Sequence, residues 1–336
     1  MEQFLSTRST ENSRLLMISD RRTFLTNVAT GATAMAATSV LSAVQPALKS
    51  TEGSQMSSGI RYCFNTSTIR GQELNIAEQV DLVGKAGYSG IEPWVSDLVQ
   101  YRDAGGSLKD LHKRISDNGL TVESAIGFAN WIVEDEADRK QGLENAKQDM
   151  DLLREIGGLR IAAPPVGAQD GPVLDLFDII DRYKALLAVG DAADVVPQLE
   201  VWGFSTNLQR LGHSVAVCVE SNHPKACLLP DVYHLYRGGS DFQGLELLSD
   251  DAIQVFHMND YPGSPARNKL NDSDRVYPGD GVAPLSSILQ SIAGEGRSVA
   301  LSLELFNPDY WEQDALDVAM TGLRKMQDAV AAADLS

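Results

Sequence analysis

Cysteine, histidine and basic residues are all scarce in this 336-residue chain. Its three cysteines, Cys63, Cys218 and Cys227, are odd in number and lie in or near apolar, strand-like segments. They are therefore predicted to be buried free thiols and not a disulfide framework. The 28 Lys and Arg residues stand against 46 Asp and Glu, which gives a net charge of −18. Such a surface repels phosphate backbones and anionic lipid, so no nucleic-acid partner is expected.

Long hydrophobic runs are missing as well. No segment approaches the roughly 20 consecutive apolar residues that a membrane-spanning helix requires. No strand–helix junction carries the pattern Gly-x-Gly-x-x-Gly, which disfavours an enzyme that binds a nicotinamide dinucleotide. The chain does contain 43% hydrophobic residues, enough to build a sizeable core.

The N-terminus has its own character. The residues Asp20-Arg21-Arg22-Thr23-Phe24-Leu25 precede a weakly apolar, Ala/Thr-rich stretch that ends near Val44. This arrangement resembles a twin-arginine export signal. We predict a signal peptide over residues 1–45, a Ser/Thr/Gly-rich linker over 46–58, and export to the periplasm or beyond by the twin-arginine translocase. The alternative is a disordered basic tail.

From Ile60 onward, strand-like and helical segments alternate eight times. The predicted strands are 61–64, 90–94, 121–127, 159–163, one ending near Glu200, one ending at Asp231, 252–257 and 298–304. The predicted helices are 74–86, 108–118, 137–156, 174–189, one beginning at 206–211, a short or irregular one after Asp231, 285–293 and 313–330. An apolar run at 214–219 could count as a further strand and shift the register. Eight right-handed crossovers predict a single-domain (β/α)8 TIM barrel over residues 59–332, with its active site at the C-terminal ends of the strands.

Four of the predicted strands end in a residue able to bind a metal ion. These residues are Glu200, Asp231, His257 and Glu304. Closure of the barrel would gather three carboxylates and one imidazole around one point. Because buried carboxylates repel one another unless a cation lies among them, the pattern predicts a metal site.

The same segments resemble a known family. The motifs are Gln-Leu-Glu200, Asp231-Val-Tyr-His234, Phe-His257-Met-Asn-Asp260, Asp274-Arg-Val-Tyr-Pro-Gly-Asp-Gly281 and Leu-Ser-Leu-Glu304-Leu-Phe-Asn-Pro-Asp-Tyr-Trp311. Together they are similar to the xylose isomerase-like sugar isomerase/epimerase superfamily, and the last two to its inosose (2-keto-myo-inositol) isomerase branch. The resemblance covers residues 59–330 and is strongest from Glu200 onward.

The resemblance implies one divalent cation, Mn, Mg, Co or Zn, held by Glu200, Asp231, His257 and Glu304. A hard, oxygen-rich site with one imidazole suits these ions. It also implies that Glu200 and Glu304 act as acid and base, one on each side of a small polyhydroxy ketone or sugar. The reaction would be isomerisation or epimerisation by proton transfer through an enediolate.

Further residues are expected to bind the substrate. The resemblance assigns His234 and Arg275 to substrate oxygens, with Asp260 as an orienting partner. Barrel position alone suggests that Glu92, at the end of the second strand, and Asn65, after the first, face the same mouth. Each has a structural alternative: a solvated rim residue for Glu92 and a turn residue for Asn65.

Several functions compete at this stage. An isomerase or epimerase uses every motif, while an inosose dehydratase-type lyase on the same barrel uses the same enediolate. A non-catalytic exported sugar-binding protein is a third hypothesis. A DNA-repair nuclease is disfavoured, because five histidines and a charge of −18 do not suit several metals and a basic groove. Oligomers are usual in the family, so a homo-oligomer stays open.

Overall fold

The structure is a computed structural model that describes residues 59–294 and 296–335. The predicted export signal (1–45) and linker (46–58) lie outside the described residues. Within the described part of the chain, every helix is too short or too polar to span a bilayer.

Short parallel strands follow the predicted order. They are β1 (Gly59–Asn65), β2 (Gly90–Glu92), β3 (Thr121–Val122), β4 (Arg160–Ala163), β5 (Val196–Glu200), β6 (Leu228–Leu229), β7 (Val255–Met258) and β8 (Ser298–Leu303). Each predicted strand is present, although several begin or end a few residues from the predicted positions.

The strands form two sheets that join into a closed barrel. Their orders are β3-β2-β1-β8-β7 and β4-β5-β6. At one seam, Ala125 N donates to Arg160 O at 3.1 Å and Ala162 N donates to Ala125 O at 2.8 Å. At the other seam, parallel bridges join Leu228 to Ile253 and Asp231 to His257. Because both seams are bridged, the predicted barrel is confirmed, and all eight strand ends face the same side.

Helices cover the outside of the barrel. They are α1 (Ile76–Ala86), α2 (Val95–Asp103), α3 (Leu108–Asp117), α4 (Glu136–Glu155), α5 (Leu176–Ala193), α6 (Leu211–Ser221), α7 (Val232–Gly238), α8 (Leu285–Ala293), α9 (Pro308–Trp311) and α10 (Ala315–Ala332). Short 3₁₀ turns occur at Thr66–Gln72, Phe242–Leu247, Asp250–Ala252, Arg267–Lys269 and Asp272–Asp274.

Three helical segments differ from the sequence prediction, among them the four-residue α9, which was not predicted. The run at 214–219 is part of α6 and not a strand, because α6 buries Leu211, Ser214, Val217 and Ser221 at intervals of three and four residues. Helix α2 was not predicted. It buries only Val95 and Leu98 and has no side-chain N-cap, so its sequence carries little helical pattern.

The core fills the barrel and the space beneath the helices. The three cysteines are free, as predicted: Cys63 and Cys227 are buried and Cys218 is half-buried.

An opening of about 840 Å³ lies at the end of the barrel where the strands begin, beside Arg61 and Glu123. Glu123 there accepts two hydrogen bonds from Arg61, at 2.8 and 3.0 Å, so its charge is paired within the protein.

Candidate metal centre

The C-terminal ends of β6, β7 and β8 bring Asp231, His257 and Glu304 together. One ligand atom from each lies within 4.8 Å of the others. The backbone explains the meeting: His257 N donates to Pro230 O, and Glu304 N donates to Met258 O. His257 Nδ1 lies 3.1 Å from Glu304 Oε2 and 3.9 Å from Asp231 Oδ2.

These side chains fit a divalent cation. His257 is fully buried, and among the described residues its Nδ1 has no partner with hydrogen-bond geometry. A buried imidazole nitrogen without a hydrogen bond is costly unless another ligand satisfies it. Two carboxylates and one imidazole are ordinary ligands for Zn, Mn or Co. The structure therefore contains a metal-type site.

Glu200 lies beside this group but not within it. It ends β5, is buried, and lines the same pocket as Glu304. Its oxygens are outside the 4.8 Å group, so three of the four predicted ligands meet and the fourth faces them. Burial raises the pKa of Glu200 to about 8, with Glu304 and Asp231 adding to the effect against the charge of His257.

Arg275 occupies the space between the carboxylates. It is fully buried, and its Nη1 donates to Asp231 Oδ2 at 2.9 Å and to Glu304 Oε2 at 2.7 Å. Its Nη2 donates to Asp272 Oδ1 at 2.6 Å. Burial opposes ionisation of Glu304, but the charges of His257 and Arg275 outweigh it and hold the pKa of Glu304 well below its usual value. The arginine thus neutralises carboxylates that were predicted to need a cation.

His234 lies next to Arg275 and lines the same pocket. It is buried, and its Nε2 lies 3.1 Å from Arg275 Nη2. Its backbone N–H donates to Asp231 Oδ1 at 2.8 Å. Asp231 thus caps helix α7 in addition to facing the metal-type site. Burial lowers the pKa of His234, which favours a neutral ring.

The Asp260 side chain binds backbone N–H groups and not the Arg275 side chain. Its two oxygens accept backbone N–H groups of Tyr261, Gly279, Gly281 and Ala283 at 2.8–3.1 Å. The prediction that Asp260 orients the Arg275 side chain is wrong, because Asp260 organises the loop behind it. Asp272, three residues before Arg275, is the carboxylate that binds the guanidinium.

Glu92 and Asn65 are buried beneath the mouth of the barrel. Glu92 Oε2 lies 3.1 Å from His257 Nε2 and accepts from Ser302 Oγ at 2.6 Å and Asn65 Nδ2 at 3.0 Å. Asn65 also donates to Glu304 and accepts from Trp94 Nε1 at 3.1 Å. Both are fully buried. These contacts form a network that orients His257 and Glu304, and substrate binding by Glu92 and Asn65 stays a prediction.

Other residues of the site were not predicted. Asn259 Nδ2 donates to Asp231 Oδ2 at 2.8 Å, and Ser302 binds Glu92. Each lies two residues from a predicted ligand, His257 or Glu304, so the alternation of side chains along a strand could have indicated them.

A pocket of about 220 Å³ opens above these groups. Its lining is Trp94, Ile126, Phe128, Glu200, Trp202, Phe204, His234, Asp272, Arg275, Glu304 and Phe306. The charged groups form its floor and aromatic rings form its walls.

The fold and the site define a class: a closed parallel barrel with metal-type ligands and acidic residues at its C-terminal face. The profile of the family described as "Xylose isomerase-like TIM barrel" matches residues 80–328. The chain belongs to this family.

Three similar proteins indicate which members of the family the chain resembles. An inosose isomerase of Bacillus licheniformis is 26% identical over 277 residues, covering 78% of this chain and 95% of the relative. A 3-dehydroshikimate dehydratase of Pseudomonas aeruginosa is 25% identical over 265 residues, covering 75% of this chain and 39% of the relative. The crystal structure of the IolI protein with a bound zinc atom superposes with a TM-score of 0.75 at 23% identity, covering 81% of this chain and 98% of that one.

Proposed function

We propose that this protein is a divalent-metal-dependent isomerase or epimerase of a small ketose or inosose. The proposal rests on one observation. Ligand atoms of Asp231, His257 and Glu304 lie within 4.8 Å of one another at the barrel mouth, and Glu200 lines the same pocket. The inosose isomerase relatives support the same activity.

The protein is an enzyme of its family: the relatives found for it are named isomerases, epimerases and dehydratases. A non-catalytic sugar-binding protein would not need Glu200 and Glu304 as an acid and a base.

Asp231, His257 and Glu304 would hold the cation, and Glu200, which lies outside this group, would be a fourth ligand only after its side chain moved toward them. When bound, such an ion supplies Lewis-acid polarisation of a carbonyl, which makes the neighbouring C–H more acidic. Glu304 and Glu200 stand at the ends of β8 and β5, so they approach a substrate from different sides. One carboxylate removes the proton beside the carbonyl, and the other returns a proton elsewhere or on the opposite face.

The remaining groups position the substrate. Arg275 and His234 line the pocket and would donate hydrogen bonds to substrate oxygens. Arg275 would then exchange part of its contact with Asp231 and Glu304 for the substrate. The aromatic walls would shield these interactions from water once a substrate is bound.

Dehydration is the second candidate. The same proton abstraction can expel a hydroxyl group, and the 3-dehydroshikimate dehydratase relatives favour it. The two reactions differ in product. Loss of water from an inosose gives a diketone that absorbs ultraviolet light, whereas isomerisation gives no diketone.

The test is proton exchange from solvent. Metal-loaded protein is incubated in D₂O with a panel of ketoses and inososes, and deuterium beside the carbonyl is followed by NMR. We expect exchange in the wild type, a loss of at least 100-fold in Glu304→Gln, and wild-type exchange in Glu123→Gln, whose carboxylate lies at the other end of the barrel. Absence of exchange with every substrate, in protein shown by elemental analysis to hold metal, contradicts the proposal and favours a binding protein.

A further inference from the structure

The walls of the pocket form a continuous aromatic collar, made of Phe306, Trp94, Phe128, Trp202 and Phe204. Neighbouring ring centroids are 6.2 Å apart for Trp94 and Phe306, 5.0 Å for Trp94 and Phe128, 6.3 Å for Phe128 and Trp202, and 5.2 Å for Trp202 and Phe204. These are distances at which aromatic side chains pack against one another.

The collar begins at the reaction floor and ends in solvent. At the inner end, Trp94 donates a hydrogen bond to Asn65 in the buried network, and the Arg275 guanidinium lies 5.0 Å from the Phe306 ring centre. At the outer end, Phe128 is 43% exposed and Phe204 is 40% exposed. Exposed phenylalanines beside a polar site are not explained by core packing, and grouped exposed apolar residues mark binding surfaces.

The number of rings exceeds what one sugar ring can cover. A six-membered carbohydrate ring has two faces, so it stacks on at most two aromatic side chains at once. Trp94 and Phe306 lie near the floor and are left for the reacting ring, although the Arg70 guanidinium already covers part of Trp94 at 3.5 Å from its ring centre. Phe128, Trp202 and Phe204 continue the collar outward, where Phe128 and Phe204 are exposed and Trp202 is half-buried.

We propose that the natural substrate is a glycoside: a keto-sugar or inosose that carries a second ring, sugar or aryl, through an oxygen bridge. This inference rests on the proposed function. The reacting ring lies on the charged floor between Glu200 and Glu304, and the second ring stacks on Phe128, Trp202 and Phe204. Binding energy from the second ring, which does not react, helps to orient the first.

The test compares matched pairs with and without the second ring. One pair is D-fructose and isomaltulose, its 6-O-glucosyl derivative; the other is 3-keto-D-glucose and its phenyl β-glycoside. Affinity is measured by calorimetry on metal-loaded protein, which needs no turnover, and kcat/KM is measured by deuterium exchange. For at least one pair we expect the glycoside to bind tenfold or more tightly than the free sugar.

Collar variants separate the second ring from the rest of the pocket. Phe204→Ala and Phe128→Ala should lower the glycoside-to-free-sugar ratio of affinities about tenfold, the worth of one aromatic stacking contact. The control is Phe177→Ala, which removes an aromatic ring that is 68% exposed on α5 and does not line the pocket, and it should leave the ratio unchanged.

The outcomes distinguish this inference from the proposed function. Equal affinity within both pairs, or a ratio insensitive to Phe204→Ala, overturns the glycoside even where deuterium exchange proceeds. Analytical ultracentrifugation covers one further outcome. If the wild type is a dimer, Phe204→Ala is a monomer and the glycoside-to-free-sugar ratio of affinities is unchanged, the inference is overturned and the collar binds a second copy of the chain. Absence of exchange in every pair contradicts the proposed function, whereas tighter glycoside binding that depends on Phe204 still supports the second-ring site.

Discussion

Arg275 is a buried cation among the carboxylates of the site. Its guanidinium binds Asp231, Asp272 and Glu304 at 2.6–2.9 Å, and its side chain is 1% exposed. Replacing one member of such a buried group leaves the remaining charges uncompensated. The structure therefore gives Arg275 a role in stability as well as a place beside the substrate.

We expect Arg275→Met to lower the free energy of unfolding by about 3–5 kcal/mol in the presence of a chelator. Mn²⁺ should restore part of the loss, because a bound cation compensates the same carboxylates. Urea denaturation with and without metal measures both effects. The control is Arg114→Met, which breaks an exposed ion pair with Asp81 and should change stability little. Equal losses in the two variants would refute this role.

Glu92 supports His257 from below. Its carboxylate lies 3.1 Å from Nε2, which orients the ring so that Nδ1 faces Asp231 and Glu304. Such carboxylate partners of metal-bound histidines typically contribute 10- to 100-fold to metal affinity.

Glu92→Gln should accordingly bind Zn²⁺ about 10- to 100-fold more weakly than the wild type, while the fold is retained. Competition with a chromophoric chelator measures the affinity, and circular dichroism checks the fold. Glu123→Gln is the matched control, since Glu123 is a buried carboxylate at the other end of the barrel. Unchanged affinity in a folded Glu92→Gln protein would show that this contact does not matter for the metal.

At the scale of elements, the strand ends were predicted well and the helices less well. Strand β5 ends at Glu200, Asp231 follows β6, and Glu304 follows β8, as the apolar runs indicated. Helix α2 escaped prediction because few of its residues are buried. A pattern of buried residues is what makes an element visible in a sequence.

Helix α4 carries one acidic residue in an unfavourable place. Asp149 lies beside a small apolar cavity lined by Trp131, Met150 and Leu186. Burial raises the pKa of Asp149 from 3.8 to about 6. The folded state therefore holds this proton more tightly than the unfolded chain. The stabilisation of the folded state by protonated Asp149 is fully present below pH 3.8 and is lost as the pH rises through about 6.

Asp149→Asn cannot ionise, so the variant should be more stable than the wild type above pH 6. Near pH 4 the difference should be much smaller, because the wild-type carboxyl is largely protonated in the folded state there. Thermal unfolding of both proteins at pH 4, 5.5 and 7.5 measures this. A difference that stays constant across the three pH values would contradict the pKa assigned to Asp149.

At the scale of the whole molecule, the proposed activity and the proposed location are separate matters. The barrel carries the site, whereas export depends on residues 1–58, which lie outside the described part of the chain. We propose that the paired arginines Arg21 and Arg22 direct export through the twin-arginine translocase, which carries folded proteins. A cation could then be bound before export.

Replacing Arg21 and Arg22 together with lysine should retain the protein in the cytoplasm of a bacterial host that has this translocase. Cell fractionation and immunoblotting of the full chain measure the distribution. The matched control replaces Arg8 and Arg14 with lysine, which changes the same number of arginines outside the pair. Equal export of the two double variants would exclude a twin-arginine signal.

The sequence by itself determined the barrel, the order of its strands and the residues at their ends, because alternation of apolar segments is a local property. It also indicated Glu200, Asp231, His257 and Glu304 as one group. Only the tertiary structure decided how they meet: three ligands lie together and Glu200 faces them.

The tertiary structure also decided the supporting contacts. Arg275 binds Asp231 across 44 positions of the chain, and Glu92 reaches His257 across 165. The aromatic collar likewise draws its rings from the loops after β2, β3, β5 and β8. Such contacts depend on where the closed barrel places distant side chains, and no local pattern of residues records that placement.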